Sequence, residues 1–116
     1  MRKMYEFKTA QFSITWAIEP DSDCDLSFDD TGETREKIES GEWECFTSRM
    51  QCRHRQTGAV LATDYLGGSI YANPADFRDH IGARGKYGSY FRDMVRNVCA
   101  EAREQLRALN GVYVRA

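Results

Sequence analysis

In the stretch EPDSDCDLSFDD, residues 19–30, three carboxylates alternate with other residues at Asp21, Asp23 and Asp25, and Asp29 and Asp30 close the run. Residues of this type and spacing could either ligate a hard cation or present negative charge to a partner. Asp21, Asp23, Asp25 and Asp29 fall at positions 1, 3, 5 and 9 of a calcium loop. The match stops there: the sharp-turn glycine position is Leu26, the twelfth position is Gly32 with Glu33 one place late, and the preceding segment reads as strand. Cys45, Cys52 and His54 raise zinc, but the tight Cys-x(2–4)-Cys pairs of a structural site are missing. No metal and no cofactor is expected.

Catalytic patterns are equally sparse. A nucleophile needs an oriented base beside it, and neither His54, between two arginines at a turn, nor His80, four residues after Asp76, has such a surround. GARGKYGS has glycines and a lysine, but not the order of a nucleotide-phosphate loop, and no strand precedes it. The chain reads as a non-enzyme.

The charge distribution is more informative. Net charge is only −2, yet residues 19–44 hold eleven acidic side chains against Arg35 and Lys37. Such sorting gives a molecule two poles, which act on encounter and partner choice more than on fold. The acidic pole, with Asp21, Asp23, Asp25, Asp29, Asp30, Glu33 and Glu36, is the candidate partner-binding site. It suits a protein or ribonucleoprotein with a cationic groove that ordinarily holds phosphates. At the other pole Arg84, Lys86, Arg92 and Arg96, with Tyr87 and Tyr90, form the alternative, a nucleic-acid-binding accessory surface. The sequence pI near 5.7 weighs against that alternative.

These residues must be positioned by ordinary elements. With 116 residues and 41% hydrophobic composition, one domain over residues 1–116 is expected. YEFKTAQFSITWAIEPD reads as strand: Phe12, Ile14, Trp16 and Ile18 alternate with smaller residues, and Tyr5 and Phe7 do so in the opposite parity. A bulge or tight turn near Thr9 to Gln11 would place all six on one side. The aspartates favour a loop, and ETREKIES a short helix started by Thr31, Glu33 or Thr34 and ended by Gly41.

WECFTSRMQCRH and GAVLATDYLGGSIY read as a hairpin joined by RQTG, with Gly67 and Gly68 marking a bulge. Phe46, Ser48, Met50 and Cys52 would share a face, opposite Val60, Ala62, Leu61 and Tyr65. NPADFRDHIG carries Asn73 as N-cap and Gly82 as stop for a short helix. A long helix capped by Ser89 then presents Phe91, Met94, Val95, Val98, Ala102, Leu106 and Leu109 as one stripe, ending at Asn110 and Gly111. The order predicts an α+β domain: a three- to four-stranded antiparallel sheet with the long C-terminal helix packed on one face and two short helices.

No stretch approaches the roughly 20 apolar residues of a membrane span, and no apolar run follows the basic start. A cytoplasmic location is therefore expected. In a reducing compartment Cys24, Cys45, Cys52 and Cys99 would be structural thiols.

ATDYLGGSIY followed by YFRDMVRNVCAEAR, with DLSF after an acidic turn, resembles small uncharacterised proteins carried by bacteriophages and other mobile elements, over about half of the chain. The resemblance implies an accessory role in a bacterial host. Two-pole proteins of that kind include inhibitors of host defence such as anti-CRISPR proteins, which share no common motif, so no site residue is carried over.

Overall fold

The computed structural model describes residues 1–79 and 90–115, with side chains described as far as Leu109. Four strands, β1 (Arg2–Lys8), β2 (Phe12–Pro20), β3 (Glu44–His54) and β4 (Val60–Tyr71), pair in sequence order as one antiparallel sheet. Helices α1 (Glu33–Glu39), α2 (Asp76–Asp79) and α3 (Tyr90–Arg115) complete the described elements. This is the α+β arrangement expected, with all four strands formed and α3 packed across β3 and β4.

The first aromatic run is a hairpin, because the chain reverses at Thr9. The Thr9 amide donates to the Phe12 carbonyl at 2.9 Å, and its Oγ1 accepts from the Phe12 amide at 3.1 Å. The reversal corrects the parity as anticipated: Tyr5 pairs with Trp16 and Phe7 with Ile14. All six side chains therefore point to one side of the sheet.

That side is the core. Phe12, Ile14, Trp16 and Ile18 meet Phe46, Met50 and Cys52 of β3 and are covered by Phe77 of α2 and by Phe91, Met94, Val98 and Ala102 of α3. Trp16 sits at the centre. Its ring lies 5.4 Å from Phe77 in a stacked pair and 5.5 Å from Phe91 edge-on, geometries that suit the aromatic quadrupole. The indole Nε1 donates to Ser48 Oγ at 3.0 Å, so Ser48, the buried polar side chain of the core among the described residues, has a partner.

The β3–β4 hairpin departs from a plain alternation at two places. Between Cys52 and Arg53 the register shifts, which turns Val60 outward to 47% exposure. Tyr65 pairs with Arg49 and is 62% exposed, so it faces away from the core instead of joining Ala62 in it. The second shift lies opposite Thr47, where Gly67 and Gly68 form the expected bulge. Gly68 has φ 70°, a left-handed conformation that a Cβ would oppose.

In front of α2 the Asn73 Oδ1 accepts from the Ala75 amide at 3.1 Å, the N-terminal contact that the sequence signals. The expected stop at Gly82 and the Ser89 cap lie outside the described residues. The expected end of α3 at Asn110 and Gly111 is not observed, since the helix runs on to Arg115. Glycine in a helix interior costs about 1 kcal/mol relative to alanine, which discourages a helix without ending it, and no proline follows. Ala102 is buried whereas Leu109 is 48% exposed, so the last turns of α3 reach past the sheet. The molecule is correspondingly long, 62 × 29 × 22 Å. Among the described residues no helix is long and apolar enough to cross a membrane.

Candidate functional site

The acidic segment folds into a lobe at the Thr47–Gly67 end of the sheet. Three of its aspartates build it. Asp21 Oδ1 accepts from the Asp23 amide at 3.1 Å, and Oδ2 reaches across to the Gly68 amide at 2.9 Å. The left-handed turn of Gly68 aims that N–H at the carboxylate, which explains the bulge and the first aspartate together. Asp21 Oδ2 also lies 3.4 Å from where a Cβ on Gly67 would stand, beside Thr47 Oγ1. Thr47 sits between the buried Phe46 and Ser48, so the lobe is seated on the side of the sheet turned away from α3.

Asp25 Oδ1 accepts from the Ser27 amide at 2.9 Å. This backbone hydrogen bond, followed by one from the Ser27 hydroxyl, holds the Asp25 carboxyl below the ordinary carboxylate range. Asp29 caps α1 from an unusual distance. Its two oxygens accept from the amides of Thr34 at 3.3 Å and Arg35 at 3.1 Å, while the N-cap residue itself is Gly32, with no side-chain cap bond. Thr31 Oγ1 adds a bond from the Glu33 amide at 3.3 Å. Asp29→Ala is expected to cost the helix about 1 kcal/mol, the usual worth of a capping oxygen. Faster amide exchange at Thr34 and Arg35, with the sheet amides unchanged, is the measurement that checks it.

The lobe is also covalently fixed. Cys24 and Cys45 form a disulfide with Cα atoms 6.4 Å apart. This corrects the expectation of four structural thiols, which rested on an assumed reducing compartment. The same pairing takes Cys45 away from Cys52 and His54: Cys45 points to the lobe, whereas Cys52 is wholly buried in the core. Burial, with neighbouring Cys99 adding to it, pushes the Cys52 thiol up to about 11, so it stays protonated at neutral pH.

The other carboxylates are left outward. Asp23, Asp30, Glu36, Glu39 and Glu42 are exposed and, among the described residues, no cation comes within ion-pair distance of them. Glu33 pairs with half-buried Lys37 at 3.6 Å and Glu44 with Arg2 at 3.4 Å, each pair with a solvent-exposed carboxylate and worth little. Of the seven sequence candidates, then, Asp21, Asp25 and Asp29 shape the lobe and Asp23, Asp30, Glu33 and Glu36 decorate it. Glu39, at the end of α1, and Glu42, just after it, are exposed and join the outward set.

Between loop and α1 lies a cleft of about 570 Å³. Leu26, Ile38, Trp43 and the disulfide form its apolar wall, and Arg35, Glu39 and Glu44 reach its edge. Lys37 Nζ lies 4.3 Å from the Trp43 ring centroid, a cation–π contact that keeps this lysine on the indole. Phe28, 61% exposed, stands on the loop nearby in sequence. No three metal-ligating side chains converge among the described residues.

Arg92 and Arg96 are exposed on α3, with Arg96 at 4.0 Å from Asp93, and Arg84 and Lys86 lie outside the described residues. No protein-family model, no curated protein and no solved structure matches the chain.

Proposed function

We propose that the chain is a non-catalytic binding protein whose acidic lobe docks onto a cationic, nucleic-acid-binding surface of a larger complex and blocks it. One observation carries this reading: five exposed carboxylates with no cationic partner among the described residues sit on a lobe, the loop with Asp23 and Asp30 and the α1 segment with Glu36, Glu39 and Glu42, that is pinned by a disulfide and by aspartate-to-amide bonds. A pinned lobe loses little conformational freedom on docking, so its charge acts at small entropic cost. The apolar cleft and the exposed Phe28 supply the anchoring contacts that charge alone lacks.

The resemblance to mobile-element proteins makes a CRISPR effector the instance to test, with the protein kept oxidised so that the Cys24–Cys45 bridge stays closed. A guide-RNA-loaded effector is incubated with the protein, and target-DNA binding is measured. The wild-type protein is expected to reduce DNA binding. The combined Asp23→Asn, Asp30→Asn, Glu36→Gln and Glu39→Gln variant, which spares the three structural aspartates, should restore it at least tenfold, because long-range attraction sets the encounter rate. Equal inhibition by the variant would refute an electrostatic mode of action.

A further inference from the structure

The side of the sheet opposite α3 is a second surface, distinct from the lobe at its end. Its cross-strand rows read Glu19, Thr47 beside the lobe, then Lys3, Ala17, Arg49, Tyr65, then Glu6, Thr15, Gln51, Thr63, then Lys8, Ser13, Arg53, Val60. Four cations share this face with two carboxylates: Glu6, which is occupied by Lys3 at 3.5 Å and by the Thr15 hydroxyl at 3.4 Å, and Glu19, which stands opposite Thr47 at the lobe end. Among the described residues no carboxylate comes within ion-pair distance of Arg49, Arg53 or Lys8. Arg53 is held in place by bonds to Gln51 Oε1 at 2.9 Å and the Gly58 carbonyl at 3.1 Å. Arg49 Nε is a buried donor with no partner.

We infer that this face binds single-stranded nucleic acid, with backbone phosphates on Arg49 and Arg53 and a base stacked on Tyr65. Four residues along one strand separate the two guanidinium-bearing positions by about 13 Å, so they meet different phosphates of one extended strand. Tyr65, 62% exposed in the same row as Arg49, offers a ring face. Gln51, Thr63, Thr15 and Ser13 between them supply donors and acceptors for base edges. An acidic protein fits this face less well, because its exposed apolar side chains, Tyr65 and Val60, stand in separate rows with Thr63 between and form no cluster of the kind that anchors a protein interface. A duplex fits less well too, since a flat sheet face enters neither groove. The acidic lobe at the Thr47–Gly67 end repels phosphate, which directs the strand across the rows toward Lys8 and Arg53.

The test is anisotropy of labelled oligo(dT) and oligo(rU), roughly a dozen nucleotides long, titrated with the intact protein between about 50 and 200 mM salt. Saturable binding is expected. Arg49→Ala with Arg53→Ala should weaken it at least tenfold and flatten the log–log salt slope by about 1.4, two phosphate contacts at roughly 0.7 each. Tyr65→Ala should weaken it about tenfold with the slope unchanged, since stacking releases no counterions. If Arg49→Ala does not fold, Arg53→Glu with Lys8→Glu, both at exposed positions, is expected to produce the same loss. The lobe variant used for the effector assay should bind as well as wild type or better, which separates the two surfaces. Four results would overturn the inference: no binding by wild type, binding unchanged in the arginine variants, equal affinity for duplex or polyglutamate, or loss confined to Arg84→Ala with Lys86→Ala.

Discussion

Trp16→Ala is expected to destabilise the protein by about 4 kcal/mol, the range for removing a fully packed aromatic side chain. Trp16 is 1% exposed and touches every layer of the core: Phe77 from α2, Phe91 from α3 and Ser48 from the neighbouring strand. Its loss opens a cavity and also strands the Ser48 hydroxyl in an apolar interior. The hydrogen bond can be separated from the volume. Ser48→Ala leaves the indole N–H without an acceptor and should cost about 1–3 kcal/mol by itself. Adding Trp16→Phe to Ser48→Ala should then cost less than the two single changes together, because the donor has been removed along with the acceptor. Urea unfolding of the four proteins supplies the cycle, and strict additivity would mean that the buried bond contributes nothing.

Opening the Cys24–Cys45 disulfide is expected to cost about 3 kcal/mol, from the loop entropy that a cross-link of this span removes from the unfolded chain. For a domain of this size that lowers Tm by roughly 12 °C. Locally the loss should be larger, because α1 has no buried residue and relies on the bridge, the Asp21–Gly68 bond and the Asp29 cap for its order. Hydrogen exchange of Cys24→Ser, or of the reduced protein, should therefore show deprotected α1 amides over a sheet that keeps its protection. An unchanged Tm after reduction would mean that the noncovalent contacts suffice. The bridge also links function to compartment. In a reducing cytoplasm the lobe would rest on its aspartate contacts alone, and docking should weaken as the charges become less fixed in place.

Much of the sheet was legible because its signals are local. Alternation in Phe12 to Ile18, the RQTG turn and the Gly67–Gly68 pair each fix backbone geometry within a few residues, and each appears where expected. The outward turn of Val60 was not legible, because a slip of register between Cys52 and Arg53 decides its face, whereas that of Tyr65 follows from plain alternation three residues after the buried Ala62 and was there to be read. The continuation of α3 through Gly111 reflects a propensity too weak to end a helix.

The acidic lobe divides in the same way. Its charge was plain from composition, but its construction depends on contacts between residues far apart in the chain. Asp21 bonds to Gly68, Cys24 pairs with Cys45, and Asp29 caps a helix from five and six residues upstream, outside the spacing of an ordinary N-cap. The expectation of four free thiols rested on an assumed compartment and not on residue spacing, and the Cys24–Cys45 bridge overturns it.

The most direct test of the lobe as a docking surface is capture from a bacterial lysate on immobilised wild-type protein and on the Asp23→Asn, Asp30→Asn, Glu36→Gln, Glu39→Gln variant, with quantitative mass spectrometry of the bound fraction. Nucleic-acid-binding proteins are expected to be enriched on wild type, displaced by added DNA, and lost both on the variant and as salt rises to about 200 mM. The same partners retained by the variant at undiminished levels would contradict the account.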